Sequence, residues 1–534
     1  MDSWLDRDGH PATRHELHYG ARLIRCFVER PKSVHEMLAN AVARRPDGLA
    51  LIFGEERLSY AELDALVGEA AGGLRALGVE KGDRVAMVLG NSIEFVVVLF
   101  AVARLGAMSV PLNIRHTLAE NSHIIKDCAA KVVVHEFDLS DRVPTPVVET
   151  DLKYAVAIRS EGGSMLAELR GDAPIEAAEA VGEEETATIL YTSGTTGHPK
   201  GAMLTHLSIA HSAIHFQFTM GLTEEDRGLL AVPMSHVTGL IALVHAMVHC
   251  AGTLVVMPAF KASEFIDLAA RHQMTYTLIV PAMFNLCLLA PNFETADLSH
   301  WRVSGYGGAI MPEATCERIA EKLPKLKLLN CYGATETTSP AAIMPPEQTV
   351  ARKESVGLAV SCGDILVMDT DGAEAPRGKP GEIYIGGAMV APGYFNNTQA
   401  TEREFVAGYW KSGDLGIMDE KGYLRVIDRI KDVINRGGFK IYASEVENVL
   451  LEHPAVVEVA VVAKPCPVLG ERVHAFVVLR RAVEEGELQR HCADVLSDYK
   501  VPETVRSLEG MLPRNANGKV LKRELRAILV ASVP

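Results

Sequence analysis

The chain has 534 residues, of which 48% are hydrophobic and 23% are charged, a composition typical of a folded globular protein and not of a disordered one. At roughly 150 residues per domain, this length indicates about three or four structural units. The formal net charge of −15 disfavours nucleic acid as a partner, because a polyanion needs an excess of positive charge.

The cysteines and the start of the chain indicate a reduced, cytoplasmic protein. The nine cysteines form no C-x-x-C pair and no Cys/His cluster, which argues against a disulfide framework and a zinc site. Any metal is therefore expected to have oxygen ligands. Since the first residues lack the basic and apolar segments of a secretory signal, we expect a cytoplasmic location.

From about residue 33 to residue 340 the pattern alternates between strands and helices. Two strand–helix–strand units are clear: residues 85–89, a helix through Ala103 and residues 109–112, then residues 254–257, a helix through Ala270 and residues 276–280. Each is typical of a βαβ crossover, so we expect parallel sheets covered by helices.

The stretch from Gly228 to Phe260 contains no Asp, Glu, Lys or Arg and is long enough to suggest a membrane span. It also contains Pro233, three histidines and several glycines, and it ends in the β-like run 253–258. These features favour a buried helix followed by a buried strand. We therefore expect no membrane span.

The pattern changes after Gly357. Short strands over residues 363–368 and 381–386 are separated by Asp-Gly and Pro-Gly turns, which predict a small antiparallel, β-barrel-like portion. Further on, the predicted elements are a helix over 445–452, strands over 456–462 and 473–479, and a helix near Leu488.

These elements predict an α/β fold class with two domains. The first, residues 1–430, has two α/β subdomains plus a β-barrel-like subdomain. The second, residues 431–534, is a small α+β domain.

A segment rich in glycines and hydroxyl groups follows the strand-like run 187–190: Tyr191-Thr192-Ser193-Gly194-Thr195-Thr196-Gly197-His198-Pro199-Lys200-Gly201. Glycines let backbone amides approach phosphate oxygens, hydroxyls donate to them, and a lysine adds positive charge. The order differs from a Walker A loop, because glycine follows the lysine. By composition alone, a surface turn rich in small polar residues is the alternative.

As an ordered string, this segment resembles the signature loop of the adenylate-forming superfamily, which comprises acyl-CoA synthetases, luciferases and peptide-synthetase adenylation domains. The resemblance implies that these residues bind the phosphates of ATP: Thr192, Ser193, Gly194, Thr195, Thr196, Gly197 and Lys200. The resemblance extends over roughly residues 30–530, because further family motifs follow in the family's order.

Two of these motifs imply the adenine and metal site. Asn330-Cys331-Tyr332-Gly333-Ala334-Thr335-Glu336 resembles the segment in which Tyr332 would stack on the base, Thr335 would touch the α-phosphate and Glu336 would hold Mg²⁺, a cation that prefers oxygen ligands. By the same resemblance, Asn330 and Gly333 belong to the nucleotide site, and Gly307-Gly308-Ala309 forms the backbone wall beside the adenine. A lone solvated carboxylate is the alternative for Glu336.

Three later segments complete the resemblance. Asp414 matches the aspartate that binds both ribose hydroxyls, Arg429 would reach the ribose, and Lys431 would be the hinge of a mobile C-terminal domain. Lys519, in Pro513-Arg514-Asn515-Ala516-Asn517-Gly518-Lys519, matches the catalytic lysine that bridges the carboxylate and the α-phosphate. The segment with Gly437 and Gly438 resembles the lining of a pantetheine channel, although two adjacent glycines also suit a tight turn.

The acyl pocket is less clearly marked. Pro233-Met234-Ser235-His236-Val237-Thr238-Gly239 resembles the segment whose aromatic residue, here His236, gates the pocket. By position, four further residues would line it: His215, Gly307, Cys331 and Ser339. A buried histidine with satisfied hydrogen bonds is the alternative. The run Pro465-Cys466-Pro467-Val468-Leu469-Gly470-Glu471 departs from the family's Pro-Asp pattern and weakens any inference about the CoA nucleotide.

The resemblance implies a carboxylic acid–CoA ligase. The acid and ATP would give acyl-AMP and pyrophosphate, and CoA would then give acyl-CoA and AMP, with ATP, Mg²⁺ and coenzyme A as cofactors and a small carboxylic acid as substrate. A stand-alone enzyme that loads a carrier protein and a nucleotide-binding protein without catalysis are the alternatives. The sequence does not choose among medium-chain, branched and aryl acids, and it leaves a homodimer open.

Overall fold

The structure is a computed structural model that describes residues 2–147, 151–159, 167–169, 171, 173–192, 199–309, 311, 313–484, 486–514 and 520–531. The helices are α1 (Val34–Arg44), α2 (Tyr60–Ala76), α3 (Ile93–Arg104), α4 (Leu118–Asp127), α5 (His206–Met220), α6 (Ala246–Cys250), α7 (Ala262–Arg271), α8 (Pro281–Leu288), α9 (Glu313–Lys322), α10 (Thr398–Glu404), α11 (Ala443–Glu452), α12 (Glu487–Ala493) and α13 (Lys522–Ala531).

The strands up to residue 307 are β1 (Thr13–His18), β2 (Arg22–Phe27), β3 (Leu49–Phe53), β4 (Glu56–Ser59), β5 (Arg84–Val88), β6 (Met108–Pro111), β7 (Val132–Glu136), β8 (Tyr154–Ile158), β9 (Thr186–Thr192), β10 (Lys200–Thr205), β11 (Arg227–Leu230), β12 (Thr253–Val256), β13 (Tyr276–Ile279) and β14 (Val303–Gly307).

The later strands are β15 (Lys327–Tyr332), β16 (Ala342–Ile343), β17 (Leu358–Ala359), β18 (Gly363–Met368), β19 (Pro380–Gly387), β20 (Phe405–Val406), β21 (Tyr409–Met418), β22 (Leu424–Arg429), β23 (Ile434–Arg436), β24 (Phe439–Ile441), β25 (Val456–Cys466), β26 (Gly470–Leu479) and β27 (Thr504–Ser507).

The chain divides into two compact units. The first unit contains residues 1–365, 384–411 and 421–423, and the second contains residues 366–383, 412–420 and 424–534. A separate five-stranded sheet has the order β18-β19-β21-β20, with β22 paired to β21.

Two large, mainly parallel sheets organise the first unit. One is six-stranded, in the order β10-β9-β6-β5-β7-β8, and the other is nine-stranded, in the order β17-β16-β15-β14-β13-β11-β12-β3-β4. The two predicted βαβ units are confirmed: β5 and β6 are adjacent and parallel, while β12 and β13 both pair in parallel with β11, which lies between them. These strands are continuous apolar runs because both faces of a parallel sheet are covered.

Local signals explain why the covering helices begin where they do. The Ser92 hydroxyl accepts the amide of Phe95 at the start of α3, whose residues are all buried. Ser59 and Glu62 form a capping box at the start of α2, which satisfies two amides that have no partner inside the helix.

The apolar stretch that suggested a membrane span is part of the core of the first unit. It contains all of β11 except Arg227, a π-helix over Thr238–His245, the short helix α6 and β12, so the expected buried helix and strand are confirmed. In the part of the chain that the structure describes, no helix is long and apolar enough to cross a membrane.

The second unit contains its own sheet, ordered β24-β23-β26-β25 with β27 parallel to β26. The predicted elements of this region are confirmed as α11, β25, β26 and α12. Val446 and Leu450 of α11, Val461 of β25 and Val477 of β26 contribute fully buried side chains to its core.

Candidate functional site

The site in the first unit begins where two neighbouring parallel strands end. Gly307 of β14 lies opposite Cys331 of β15, so the loops that start with Gly308 and with Gly333 leave the sheet side by side. A Cβ atom on Gly307 would lie 2.3 Å from the carbonyl oxygen of Cys331. That distance is a steric clash, so the close approach of the two strands requires glycine at this position. Ligands of open α/β sheets bind beyond such carboxyl ends, which is where the sequence placed the adenine.

The residues of these two loops differ in exposure. Gly308 and Ala309 are exposed, and Tyr332 is half-buried. The side-chain amide of Asn330, on β15, donates to the carbonyl of Ser355 at 3.4 Å. Gly308, Ala309 and Tyr332, which the resemblance assigns to the adenine, therefore lie at the ends of two neighbouring strands.

Glu336 is a buried carboxylate in the short 3-10 turn Thr335–Thr337. It is 7% exposed, and its backbone carbonyl accepts the amide of Ala391 at 2.9 Å. Burial raises the pKa of Glu336, although a hydrogen bond from Tyr394 opposes that effect. Among the described residues no cationic side chain forms an ion pair with Glu336, so this group suits a cation that the protein does not itself supply.

Tyr394 connects Glu336 to a second carboxylate. Its hydroxyl oxygen lies 2.8 Å from Oε1 of Glu336 and 2.7 Å from Oε2 of Glu404. A phenol has one hydrogen to donate, so both contacts are hydrogen bonds only when one carboxyl group is protonated. Burial is the first cause that raises the pKa of Tyr394, and the two carboxylates raise it further.

Lys200 binds the same oxygen of this second carboxylate as Tyr394 does. Its Nζ lies 2.5 Å from Oε2 of Glu404 and 4.3 Å from the centroid of the Tyr394 ring. Burial raises the pKa of Glu404, but hydrogen bonds from Arg403, Lys200 and Tyr394 outweigh that effect, so the net pKa is lowered. The pKa values of the two carboxyl groups are therefore shifted in opposite directions, that of Glu336 upward and that of Glu404 downward.

The phosphate-loop segment connects two antiparallel strands. Thr192 ends β9 and lies opposite Lys200, which begins β10. The residues between them that the sequence assigns to the phosphates, Ser193, Gly194, Thr195, Thr196 and Gly197, lie outside the described residues. The strand pairing places Lys200 at one end of this connection.

Sequence reasoning did not identify Tyr394 or Glu404. Lys200 and Glu404 are separated by 204 positions, and they meet because the segment Gly393–Phe395 pairs with β10: the amide of Met203 donates to Gly393 at 3.1 Å, and the amide of Phe395 donates to Gly201 at 2.8 Å. Glu404 ends α10, where the helix dipole disfavours a negative charge, but none of the sequence motifs includes it.

His236 precedes the π-helix Thr238–His245. It is half-buried, and its Nδ1 accepts the amide of Thr238 at 3.3 Å. A Cβ atom on Gly239 would lie 2.3 Å from the carbonyl oxygen of Pro233, so the turn is tightly closed. π-Helical segments occur frequently at functional sites.

The other acyl-pocket candidates differ in burial. Cys331 is buried and Ser339 is half-buried. His215 is fully buried, its Nε2 accepts the amide of Cys362 at 3.1 Å, and its ring contacts Phe27. Its Nδ1 is buried and has no hydrogen-bond partner among the described residues, so this environment fits the alternative of a satisfied core histidine only in part.

In the second unit, Asp414 and Arg429 are register partners on β21 and β22. Nε of Arg429 lies 2.5 Å from Oδ1 of Asp414, which is 5% exposed. The amide of Asp414 donates to the Ser412 hydroxyl at 2.9 Å. The structure thus brings together the two residues that the sequence assigns to the ribose.

The hinge candidate lies in a short 3-10 turn. Lys431 is exposed, and its neighbour Asp432 pairs with Arg526 of α13 at 2.6 Å. The catalytic candidate Lys519 lies outside the described residues.

Gly437 and Gly438 form the two-residue turn between β23 and β24, with φ angles of 56° and 91°. Both glycines adopt positive φ, as a type I′ hairpin turn requires. The tight-turn alternative therefore describes their backbone, and a role in a CoA channel stays a prediction.

One further cluster has metal-ligating residue types. Atoms of Glu16, His18 and Cys26 lie within 4.8 Å of one another. Arg30 binds both carboxylate oxygens of Glu16, at 3.0 and 2.7 Å, and burial raises the pKa of Cys26 to about 12. Because a metal needs a thiolate and an uncommitted carboxylate, the cluster does not fit a metal site. All nine cysteines are free.

The family described as AMP-binding enzyme matches residues 38–395, and its C-terminal domain matches residues 445–519. The chain belongs to the AMP-binding enzyme family. The resemblance stated from the motifs is confirmed, and so is the mixed α/β fold class.

Several relatives of this AMP-binding enzyme are named CoA ligases. The chain is 35% identical over 479 residues to the long-chain-fatty-acid–CoA ligase FadD13 of Mycobacterium tuberculosis, covering 90% of this chain and 94% of the relative. It is 34% identical over 482 residues to the 2-succinylbenzoate–CoA ligase of Bacillus licheniformis, covering 90% and 97%.

Two solved structures are similar to this chain over most of its length. ATP-bound MatB from Rhodopseudomonas palustris has 31% identity and a TM-score of 0.86, with 93% of this chain and 99% of that chain covered. The o-succinylbenzoate CoA synthetase of Bacillus subtilis, in complex with its acyl-adenylate intermediate, has 32% identity and a TM-score of 0.82, with 92% and 97% covered.

Proposed function

We propose that this AMP-binding enzyme is an ATP-dependent carboxylic acid–CoA ligase. A carboxylate oxygen of the acid attacks the α-phosphorus of ATP, the bond to the β-phosphate breaks, and pyrophosphate leaves. The CoA sulfur then attacks the acyl carbon, the bond to the AMP oxygen breaks, and the thiol proton passes to solvent. No nucleophilic side chain is needed, because both nucleophiles belong to substrates.

The observation that carries this proposal is the buried carboxylate of Glu336 beyond the end of β15. It has no cationic partner among the described residues, and Tyr394 orients one of its oxygens. These features fit Mg²⁺, a hard cation that binds nucleotides through one or two carboxylates plus phosphate oxygens. Bound there, Mg²⁺ would supply positive charge to the phosphates.

The chain's own groups have separate roles in the proposal. Lys200 and the segment 192–197 bind the phosphates, Tyr332 and the segment 307–309 bind the adenine, and Thr335 contacts the α-phosphate. Lys519 neutralises the two anions that meet in the first half-reaction, which is the main electrostatic problem of this chemistry.

We also propose roles in the second unit. The Asp414 carboxylate accepts hydrogen bonds from the ribose hydroxyls, and Arg429 both orients Asp414 and reaches the ribose. With domains divided at residues 1–430 and 431–534, Lys431 is the hinge about which the C-terminal domain changes position between half-reactions. Gly437 and Gly438 then contribute to the CoA channel.

CoA is favoured over a carrier protein as the acceptor. The relatives named above are CoA ligases of a fatty acid and of 2-succinylbenzoate, and further relatives are a feruloyl-CoA synthase and an indoleacetate–CoA ligase. These acids span aliphatic and aromatic carboxylates, so the acid of this enzyme stays open among medium-chain, branched and aryl acids, with His236 proposed as the gate of the pocket.

The test is acid-dependent pyrophosphate release over a panel of acids of varied chain length and ring content. We expect release that requires Mg²⁺ and, once CoA is added, formation of an acyl-CoA and AMP. The matched control is Glu336→Gln, which keeps the shape of the side chain and removes its charge. Absence of release with every acid would revive the alternative of a nucleotide-binding protein without catalysis.

Two further predictions remain to be tested. A cytoplasmic location is consistent with nine free cysteines, because cytosolic thiols are kept reduced. A homodimer is testable by light scattering on the purified enzyme.

A further inference from the structure

Lys200 already has a counter-ion within the first unit. Its Nζ lies 2.5 Å from Oε2 of Glu404, and the two side chains are 10% and 21% exposed. At this burial, water screens the pair less than it screens a surface pair. Any phosphate that binds Lys200 therefore meets a lysine whose charge is already neutralised.

The position of Glu404 is unfavourable for its own helix. It is the last residue of α10, and the carbonyl end of a helix disfavours a negative charge. Arg403 offsets this cost through an Nη2–Oε1 contact of 2.6 Å, but Arg403 is 53% exposed. The partly buried partners, Lys200 and Tyr394, therefore contribute most to holding this carboxylate in place.

The ion pair is not needed to join the two segments that it connects. Strand β10 and the segment Gly393–Phe395 already share two backbone hydrogen bonds, from Met203 to Gly393 and from Phe395 to Gly201, and a bridge between Ala202 and Tyr394. A merely structural role for Glu404 is thus largely duplicated by the backbone. What the carboxylate adds is a negative charge next to Lys200.

We infer that Glu404 is a positioning residue that competes with the phosphates of the nucleotide for Lys200. The inference rests on the proposed function, in which Lys200 binds ATP. Phosphate oxygens must either displace the Glu404 carboxylate or approach it closely, and both options oppose binding. ATP and pyrophosphate carry more negative charge than AMP, so Glu404 weakens their binding more. When pyrophosphate leaves, the ion pair forms again and favours its release.

The experiment compares Glu404→Gln with Glu402→Gln, which removes the same charge from an exposed position on the same helix. Titration calorimetry in the presence of Mg²⁺ measures binding of pyrophosphate, α,β-methylene-ATP and AMP. For Glu404→Gln we expect about tenfold tighter binding of pyrophosphate and of the ATP analogue, but less than about a twofold change for AMP. Glu402→Gln should match the unaltered enzyme.

A folding defect is recognised in the same titrations, because it weakens all three ligands, whereas loss of the counter-ion tightens two of them. Glu404→Asp, which keeps the charge on a shorter side chain, should give an intermediate pyrophosphate affinity. With an acid that the enzyme accepts, Glu404→Gln should lower the KM for ATP and also lower kcat, since pyrophosphate leaves more slowly.

The decisive comparison is a double-mutant cycle with Lys200→Gln. If Glu404 acts through Lys200, Glu404→Gln tightens pyrophosphate binding only when Lys200 is present. An equal gain in both backgrounds, or unchanged or weaker binding in Glu404→Gln, overturns the inference while the proposed function stands. If the unaltered enzyme binds neither ATP analogue nor pyrophosphate, the proposed function fails and the inference fails with it.

Discussion

The phenol oxygen of Tyr394 lies 2.8 Å from Oε1 of Glu336. This contact orients the buried carboxylate that we propose as the Mg²⁺ ligand, and it comes from a loop held against β10 by backbone hydrogen bonds. The geometry of the proposed metal site therefore depends on a residue that belongs to none of the motifs singled out from the sequence.

Replacing Tyr394 by phenylalanine tests this dependence. The change removes the hydroxyl between two carboxylates and leaves Glu336 without its hydrogen bond, so we expect the free energy of unfolding to fall by about 1–3 kcal/mol. The Mg²⁺ concentration that half-saturates pyrophosphate release should rise. Tyr384→Phe, at a half-buried tyrosine on β19, is the control. Equal Mg²⁺ dependence of both variants would contradict the proposed orienting role.

A second prediction concerns the close approach of β14 and β15. Gly307→Ala places a Cβ atom 2.3 Å from the carbonyl oxygen of Cys331, so the strand ends must separate. We expect about 1–3 kcal/mol of lost stability and weaker AMP binding, measured by urea denaturation and by titration. Gly182→Ala, at an exposed glycine whose added Cβ has its nearest neighbour at 3.5 Å, should change neither.

Three histidines of α5 predict a loss of stability in acid. Nδ1 of His206 accepts the amide of Val34, and Nε2 of His211 accepts the amide of Phe27; the third, His215, accepts the amide of Cys362. Burial lowers the pKa of His206 and of His211 to about 4, and it also lowers the pKa of His215.

The direction of the stability change follows from these lowered pKa values. Below a pH of about 6.5 the histidines of the unfolded chain take up protons that those of the folded chain do not. The free energy of unfolding therefore falls as the pH drops from about 6.5 to about 4. For a ring with a folded pKa of about 4, the loss is about 3 kcal/mol. Urea denaturation at several pH values measures the slope. His211→Gln should lower this slope by the equivalent of about one proton taken up on unfolding. His300→Gln, at an exposed histidine, should leave the slope unchanged.

Local patterns were sufficient for much of the fold and for part of the site. The strands β5, β6, β12 and β13 were predictable because their apolar runs are contiguous in sequence and alternate with helical patterns. Asp414 and Arg429 were assigned to one ligand, and they are cross-strand partners.

The contacts of Lys200 were not predictable in this way. Glu404 reaches Lys200 only through the pairing of residues 393–395 with β10, which is a long-range event without a local signal. Similarly, the sequence did not indicate that the ring of His215, a predicted pocket residue, accepts the distant backbone amide of Cys362. For a helix that is buried on almost every side, hydrophobic periodicity in the sequence does not show which side chains are fully buried.

The pair of Asp414 and Arg429 gives a prediction about the ribose. Asp414→Asn removes the buried negative charge that orients Arg429, so we expect the KM for ATP and the Kd of AMP to rise together, by about tenfold or more. Pyrophosphate has no ribose, and its affinity should not change. Asp371→Asn, at an exposed turn, is the charge-matched control. A change in pyrophosphate affinity would show that Asp414 acts through the phosphates instead.

The two half-reactions can be separated by two substitutions. Lys519→Ala removes the charge proposed to bridge the carboxylate and the α-phosphate, so we expect loss of adenylate formation, while a supplied acyl adenylate is still converted to the thioester. Lys431→Pro fixes φ at the hinge, and it should allow adenylate formation but block thioester formation. Single-turnover assays with acid and ATP, and with acyl adenylate and CoA, measure each step. The opposite losses are the signature of a domain that changes position between the steps. If both variants lose the same half-reaction, Lys431 is not a hinge, because the fixed backbone would then act on the same chemistry as the missing charge.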